Sequence, residues 1–177
     1  MLHEKELNSP HLFWITGLSA SGKTTLANAL HQALIYQNKT SVILDGDYLR
    51  QGLCSDLGLS ENDRKENIRR AGEVARLLLS NGITVICALI SPYEKDRNWV
   101  RQSIPDHQFS EIYLSPPLEI CINRDPKGLY AKSFSGEISG MTGIDSPYEP
   151  PLKPEFQFDT SRIGVSGMVA QILDCNR

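Results

Sequence analysis

The stretch Gly17-Leu18-Ser19-Ala20-Ser21-Gly22-Lys23-Thr24 decides the fold of this chain. It matches the pattern GxxxxGK[ST], in which the glycines let the backbone curl so that several N–H groups point at phosphate oxygens. An apolar run over residues 12–16 precedes the stretch, and an amphipathic helical pattern over residues 23–37 follows it. A Gly/Ser turn that matched by chance would have no reason to lie between a strand and a helix. The sequence therefore predicts a phosphate-binding P-loop.

This loop gives several of its side chains a role. Lys23 is expected to reach the β- and γ-phosphates of ATP, and Thr24 to place its hydroxyl on Mg²⁺. The helix that begins at Lys23 adds a positive end of about half an elementary charge. We therefore predict ATP and Mg²⁺ as cofactors, Lys23 as a catalytic residue and Thr24 as a metal ligand. The predicted ATP-binding residues are Gly17, Leu18, Ser19, Ala20, Ser21, Gly22, Lys23, Thr24 and Thr25.

The rest of the chain alternates short apolar runs with helical patterns. Strands are predicted at residues 12–16, 41–44, 83–90, 109–114 and 156–158. Helices are predicted at residues 23–37, 48–53, 60–80, 94–103, 117–123 and 165–175. This alternation is typical of a three-layer α/β/α fold with a parallel sheet, whose sites gather beyond the carboxyl ends of the strands. Gly17, Asp45 and Ser91 all fall at such ends.

Residues 125–154 interrupt this alternation. They contain four glycines and five prolines and show little periodicity. Thirty such residues inside a compact domain are usually a functional lid or a disordered segment. We predict one P-loop kinase domain over residues 1–177, with residues 125–154 as a lid segment.

Composition limits the partners and the compartment. The chain has 177 residues and a net charge of −3, which gives no general reason to bind nucleic acid or an anionic membrane. No run approaches the ~18 apolar residues of a membrane span. Residues 1–10 lack the apolar core of a signal peptide, and the four cysteines form no CxxC pair. These features predict a cytoplasmic protein with reduced cysteines that binds neither nucleic acid nor membrane.

The reaction class follows from what accompanies the P-loop. The chain has no NKxD guanine signature and no apolar run ending in DE, so its size and lid segment favour a small-molecule kinase. Asp45 and Asp47 end the second strand, and in extended geometry both would point towards the triphosphate. One could hold the water shell of the metal while the other accepts the proton of the acceptor hydroxyl, although a solvated DG turn has the same spacing.

Polar side chains from separate segments could hold an anionic acceptor. Arg50 shares a helical face with Asp47, and Arg64 and Asn67 lie three apart at the start of the long helix. Two arginines and an amide would suit a phosphate or sulfate group, although each of them singly would more often be a surface residue.

Read together, these segments resemble the adenylyl-sulfate kinase family, which phosphorylates the 3′-hydroxyl of adenosine 5′-phosphosulfate in sulfate assimilation. The resemblance covers nearly the whole chain, in the segments GLSASGKTT (17–25), LDGDYLRQGLCSDLG (44–58), DRKENIRRAGEVARLL (63–78), ISPYEKDRNWVR (90–101), RDPKGLYAK (124–132) and TGIDSPYEPP (142–151). It implies small nucleotide substrates, a homodimer, and Asp47 as the base or metal-associated carboxylate. By resemblance the acceptor site comprises Asp47, Arg50, Leu59, Arg64, Asn67, Ile90, Ser91, Lys127 and Met141.

Ser91 is a separate question within this family resemblance. Members are often described with a phosphoserine intermediate at the serine of ISP, which is Ser91 here. No histidine or lysine neighbours it in sequence, and in-line transfer needs only positioning and charge stabilisation. We therefore favour direct transfer and count Ser91 as a catalytic-site residue by its position.

Three departures from the family pattern bear on the acceptor. Leu59 and Met141 stand where the family usually has phenylalanines that sandwich adenine, and residues 131–134 read AKSF in place of KKAR. Leu and Met can cover a base by dispersion but offer no π face. Phe134 could serve as a replacement aromatic. Two alternatives therefore stay open: a kinase of another nucleotide conjugate, such as cytidine diphosphoramidate in capsule synthesis, and a non-catalytic nucleotide-binding module.

Overall fold

The computed structural model describes residues 9–175 of the chain. Residues 1–8, which carry most of the prediction that the chain does not begin with a signal peptide, lie outside this range. Five parallel strands form one sheet in the order β2-β3-β1-β4-β5. Their bounds are β1 Leu12–Thr16, β2 Ser41–Asp45, β3 Thr84–Ala88, β4 Phe109–Leu114 and β5 Phe156–Phe158. The predicted parallel sheet is confirmed.

Helices cover both faces of this sheet. Their bounds are α1 Lys23–Tyr36, α2 Gly46–Gln51, α3 Glu61–Ser80, α4 Glu94–Gln102, α5 Leu118–Arg124, α6 Leu129–Phe134 and α7 Val165–Cys175. Because side chains alternate along a strand, Leu12 and Trp14 of β1 pack on one face, in a core that includes residues of α3 and α4. Phe13 and Ile15 pack on the other face against α1 and α7. The predicted three-layer α/β/α architecture is therefore confirmed.

The predicted signals at both ends of α3 are present. Ser60 caps its start, since the Ser60 hydroxyl accepts from the Asp63 N–H at 3.2 Å. At the other end, Gly82 takes a φ of +78°, and the N–H groups of Gly82 and Ile83 donate back to the carbonyls of Leu79 and Leu78. This pattern is a Schellman motif, so the helix ends where the Asn-Gly pair predicts.

Two predicted boundaries differ from the structure near the cavity. Helix α2 begins at Gly46 rather than at residue 48, because the Asp45 carboxylate accepts the Asp47 N–H at 2.9 Å and caps the helix. Strand β3 ends at Ala88, two residues before the predicted end at Ile90. The backbone then turns sharply, and Ser91 adopts a φ of +41°.

The lid segment contains one helix that the sequence did not predict. The Asp125 carboxylate accepts the N–H groups of Tyr130 and Ala131, which holds the start of α6. Buried Tyr130 and Met141 then pack with Cys121 of α5 in a small core of their own. The lid segment is thus tied to the main body by a packed apolar contact.

No helix within residues 9–175 is both long enough and apolar enough to cross a membrane.

Candidate active site

The P-loop joins β1 to α1 in the curled conformation that its sequence predicts. Gly17 has a φ of +148°, and a Cβ at this position would lie 2.6 Å from the carbonyl oxygen of Leu114. Gly22 has a φ of +103°, in a region that residues with side chains rarely adopt. Both glycines are therefore required by the backbone path of the loop.

The ammonium group of Lys23 lies inside the curl of the loop. Its Nζ atom donates to the carbonyl oxygens of Gly17 at 2.9 Å and Leu18 at 2.6 Å. Burial lowers the pKa of Lys23 to about 8. The nearby carboxylates of Asp45 and Asp47 oppose this shift, while the charge of Lys127 adds to it. Lys23 is thus a cation placed where phosphate oxygens would meet the loop amides.

Thr24 and Asp45 provide two oxygen atoms side by side at the start of α1. The Thr24 hydroxyl donates to Oδ2 of Asp45 at 2.8 Å. Mg²⁺ prefers oxygen ligands and is usually held by one or two protein groups together with substrate phosphates. Within residues 9–175, no group of three or more His, Cys, Asp or Glu side chains could hold a metal ion alone. The pair therefore suits a magnesium ion that is carried by a nucleotide.

Asp47 does not follow the extended path on which its orientation was predicted. It lies in the first turn of α2, so the alternation of a strand does not apply to it. Its carboxylate instead forms an ion pair with Lys127 of the lid segment. Asp45 and Asp47 nevertheless line the same cavity.

The second group of predicted residues lies in the last turn of α2 and at the start of α3. Arg50 donates to the carbonyl oxygens of Leu57 and Gly58. Arg64 is buried, with 7% of its surface exposed, and burial lowers its pKa. Its guanidinium donates to the carbonyls of Leu59 and Gly140 and to the Thr142 hydroxyl. Two of its five N–H groups therefore have no hydrogen-bond partner among residues 9–175 and could bind a ligand.

Asn67 carries an unsatisfied polar atom into this region. The side chain is 5% exposed, and its Oδ1 has no hydrogen-bond partner within the described part of the chain. A buried acceptor without a partner is destabilising by about 1–3 kcal/mol. Since Asn67 lines the cavity, a ligand with an N–H or O–H donor could satisfy it there.

One cavity of about 740 Å³ joins these groups. The predicted site residues that line it are Ser19, Ala20, Gly22, Lys23, Thr24, Thr25, Asp45, Asp47, Arg50, Leu59, Arg64, Asn67, Ile90, Ser91 and Lys127. Four predicted residues are not part of its lining: Gly17, Leu18, Ser21 and Met141. Met141 is buried in the lid core, with 7% of its surface exposed, and Leu59 is about half exposed.

Strand order divides the cavity into two sides. The P-loop follows the central strand β1. On the β2 and β3 side lie Asp47, Arg64 and Ser91. On the β4 and β5 side lie Arg124, from the helix after β4, and Thr160, which follows β5. A polyphosphate at the P-loop would therefore have a distinct binding region at each of its ends.

Sequence reasoning missed the wall on the β4 and β5 side. Arg124 donates to the hydroxyl of Thr160 at 2.8 Å and to its carbonyl at 2.9 Å. The Thr160 hydroxyl donates in turn to the Ser21 carbonyl in the P-loop at 3.0 Å. Residues 163–165 and Met168 complete this wall. Arg124 begins the segment RDPKGLYAK, which the family resemblance already includes. Thr160 follows the short strand β5, and no sequence pattern there indicates a binding site.

Ser91 lines the cavity, but its hydroxyl is engaged elsewhere. The residue is 2% exposed, and its Oγ accepts the indole N–H of Trp14 at 3.1 Å. The same hydroxyl makes a long contact of 3.4 Å with the Leu89 carbonyl. Neither partner is a base, so this geometry provides no activation of Ser91 as a nucleophile.

Comparison with known proteins identifies the family to which this chain belongs. A sequence model described as adenylylsulphate kinase matches residues 9–159. The chain belongs to this family.

Two proteins similar to this chain support its assignment to the adenylylsulphate kinase family. An adenylyl-sulfate kinase of Pseudomonas entomophila (strain L48) is 54% identical over 165 residues, which cover 93% of this chain and 79% of the relative. The structure of the Mycobacterium tuberculosis APS kinase CysC in complex with AMPPNP and APS is 40% identical, with a TM-score of 0.89. That match covers 94% of this chain and 96% of the other.

The family also includes an assembly of known size. A hexameric APS kinase from Thiobacillus denitrificans is 32% identical, with a TM-score of 0.71, and the match covers 95% of this chain but 29% of that one.

Proposed function

We propose that this protein is an adenylyl-sulfate kinase. It transfers the γ-phosphoryl group of ATP to the 3′-hydroxyl of adenosine 5′-phosphosulfate, giving 3′-phosphoadenylyl sulfate and ADP. The observation that carries the proposal is the two-sided cavity, in which the P-loop lies between Arg124 and Thr160 on one side and Asp47, Arg64 and Asn67 on the other. Relatives with this name and the neighbour bound to AMPPNP and APS support it.

ATP occupies the P-loop side of the cavity in this proposal. Its phosphates meet the loop amides and Lys23, and its nucleoside lies towards Arg124 and Thr160. Thr24 and Asp45 hold Mg²⁺ directly or through its water shell. When bound, the ion neutralises charge that develops on the β- and γ-phosphate oxygens.

The acceptor binds on the β2 and β3 side. Arg50 and Arg64 face its phosphosulfate group, and Asn67 offers the Oδ1 acceptor that has no partner among the described residues. Asp47 accepts the proton of the 3′-hydroxyl as that oxygen attacks the γ-phosphorus. Lys127 reaches Asp47 from the lid segment, so closure of this segment would place a cation beside the transferred group.

Transfer is direct in this proposal. Ser91 shapes the wall of the acceptor region and forms no covalent intermediate, because the residue is 2% exposed and its hydroxyl accepts from the Trp14 indole. In-line transfer requires positioning and charge stabilisation, and the other groups of the cavity supply both.

Further expectations concern the whole protein. Three predictions stay untested. They are a homodimer, a single kinase domain with residues 125–154 as its lid, and a location in the cytoplasm, where ATP is available. Analytical ultracentrifugation of the full chain would test the first of them. A single species with twice the mass of the chain is expected, and a hexamer would contradict it.

A coupled assay of ADP release tests the function. Purified protein with Mg²⁺ and ATP should release ADP with saturation by adenosine 5′-phosphosulfate, and a Lys23→Ala variant purified in the same way should lose this activity. Saturable turnover with cytidine diphosphoramidate alone would instead assign the enzyme to another nucleotide conjugate. Tight ATP binding without turnover of any acceptor would favour a non-catalytic module.

A further inference from the structure

The segment Ile90–Ser91 forms part of the cavity wall and is held from behind by side chains. The Thr16 hydroxyl donates to the Ile90 carbonyl at 2.6 Å, and the Trp14 indole donates to the Ser91 hydroxyl at 3.1 Å. A third donor is Arg97, whose Nη1 reaches the Ser91 carbonyl at 2.7 Å. Because a positive φ is strained for serine, the surrounding contacts must hold Ser91 in place.

Arg97 connects this segment to two further parts of the fold. It lies on α4 and is 1% exposed. Its Nη2 donates to the Glu149 carbonyl at the end of the lid segment, at 2.6 Å, and its Nε donates to the Glu111 carboxylate of β4, at 2.8 Å. One guanidinium therefore joins the turn that follows β3, the lid segment and β4.

Stability alone is a weak reason for such an arrangement. A buried ion pair gains little over well-packed apolar side chains, because both charges lose their hydration. Arg97 and Glu111 are both almost fully buried, and Glu111 has a second, longer contact of 3.3 Å with Arg101. What an apolar pair could not provide is the donation to two backbone carbonyls, those of Ser91 and Glu149.

We propose that Arg97 is a positioning residue for the acceptor side of the active site. It fixes the Ser91 carbonyl and the end of the lid segment relative to β4, so that the Ile90–Ser91 wall keeps its shape. This inference rests on the proposed kinase function. Without the guanidinium, Ser91 can relax from its positive φ, and the wall moves away from the acceptor while the P-loop is left unchanged.

Two variants test this role. Arg97→Lys keeps the charge beside Glu111 but cannot reach three acceptors in a fixed planar geometry. The double variant Arg97→Met with Glu111→Met replaces the ion pair by an apolar pair, a change that buried ion pairs often tolerate. Each should raise the KM for adenosine 5′-phosphosulfate and lower kcat/KM by about 10- to 100-fold, with the KM for ATP unchanged.

Arg101 provides the matched control on the same helix. It pairs with Glu155 and Glu111 and donates to carboxylates rather than to the cavity wall. Arg101→Lys should therefore leave both KM values unchanged. Equal losses with ATP and acceptor in the Arg97 variants, or the same pattern in Arg101→Lys, would overturn the proposal and leave Arg97 a purely structural residue.

Hydrogen exchange separates this inference from the proposed function. The backbone amides of residues 89–91, Tyr93, Tyr148 and Glu149 should exchange faster in Arg97→Lys than in the parent or in Arg101→Lys, whichever acceptor the enzyme uses. If the parent does not phosphorylate adenosine 5′-phosphosulfate but the exchange differs in this way, the kinase assignment fails and the positioning role stands. Unchanged exchange in both segments would contradict the positioning role itself.

Discussion

Lys127 in the lid segment forms an ion pair with Asp47 at the start of α2, although eighty positions separate them in the chain. Both side chains are more than half exposed, at 52% and 60%. An ion pair in such a position contributes about 0–1 kcal/mol to stability at most. Its value is therefore expected to lie in bringing a lid cation to the carboxylate that faces the acceptor.

Removal of this cation should change turnover and leave stability unchanged. In Lys127→Ala we expect kcat/KM for the acceptor to fall by about 10- to 100-fold, because a charge that faces the transferred phosphoryl group is lost. Steady-state kinetics and thermal unfolding measure the two effects. Lys132→Ala is the control, since Lys132 is also an exposed lid lysine, paired with Glu137. Equal kinetic losses in both variants would show that Lys127 has no special position.

Asp47 should contribute to the chemical step far more than to nucleotide binding. Asp47→Asn keeps the size of the side chain and removes its basicity, so we expect kcat to fall by about 10²- to 10⁴-fold. The Kd for ATP, measured by calorimetry, should change little, because the role is specific to the transition state. Glu73→Gln is the control, because Glu73 is a carboxylate of α3 that pairs with Arg76 away from the cavity. A kcat equal to that of the parent would mean that another group accepts the proton.

The order of elements could be predicted because it depends on local patterns. The P-loop glycines, the Ser60 cap and the Asn81-Gly82 stop each act within a few residues, and the structure contains all three. The start of α2 differs from its predicted position because a side chain changes the backbone path. Asp45 starts α2 two residues early by accepting the Asp47 N–H. The periodicity of apolar residues gives no indication of such a hydrogen bond.

The contacts that complete the site could not be predicted, because they join distant segments. The sequence marks Arg64 as a residue for a phosphosulfate group, but it does not show that three of its donors hold Leu59, Gly140 and Thr142. Likewise the contact of Arg97 with Ser91 depends on where packing places α4 relative to the sheet. Residue type suggests which groups could bind an anion, while only packing decides how many of their donors are free.

Leu59 is a position where specificity for adenine can be tested. It lines the cavity and is about half exposed, so a larger ring has room at this position. Leu59→Phe should lower the KM for adenosine 5′-phosphosulfate, with a gain of about 0.5–1.5 kcal/mol from stacking. Leu53→Phe, at another half-exposed leucine that does not line the cavity, is the control. An unchanged KM in Leu59→Phe would place the base elsewhere.

Met141 should respond differently, because it is buried in the lid core rather than exposed to the cavity. It packs with Cys121 and Tyr130 and is 7% exposed. A larger ring in this close-packed position should destabilise the protein by about 1–3 kcal/mol. Denaturant unfolding of Met141→Phe measures the change, with Met141→Leu as the volume-conserving control. A lower KM for the acceptor in Met141→Phe, without loss of stability, would show that residue 141 reaches the substrate.

The lowered pKa of Lys23 predicts how ATP affinity depends on pH. Burial holds this pKa at about 8, so the free protein carries a neutral Lys23 above that pH and a charged one below it. Triphosphate favours the charged form, so binding above about pH 8 must take up a proton, and affinity should fall by up to about tenfold per pH unit. Calorimetry from about pH 7 to about pH 9.5, in buffers of different ionisation enthalpy, measures both affinity and proton uptake. Lys23→Arg is the control: its guanidinium stays charged over this range, so its affinity, whatever its absolute value, should lack this dependence. Parallel pH profiles for parent and variant would mean that Lys23 does not change its protonation when ATP binds.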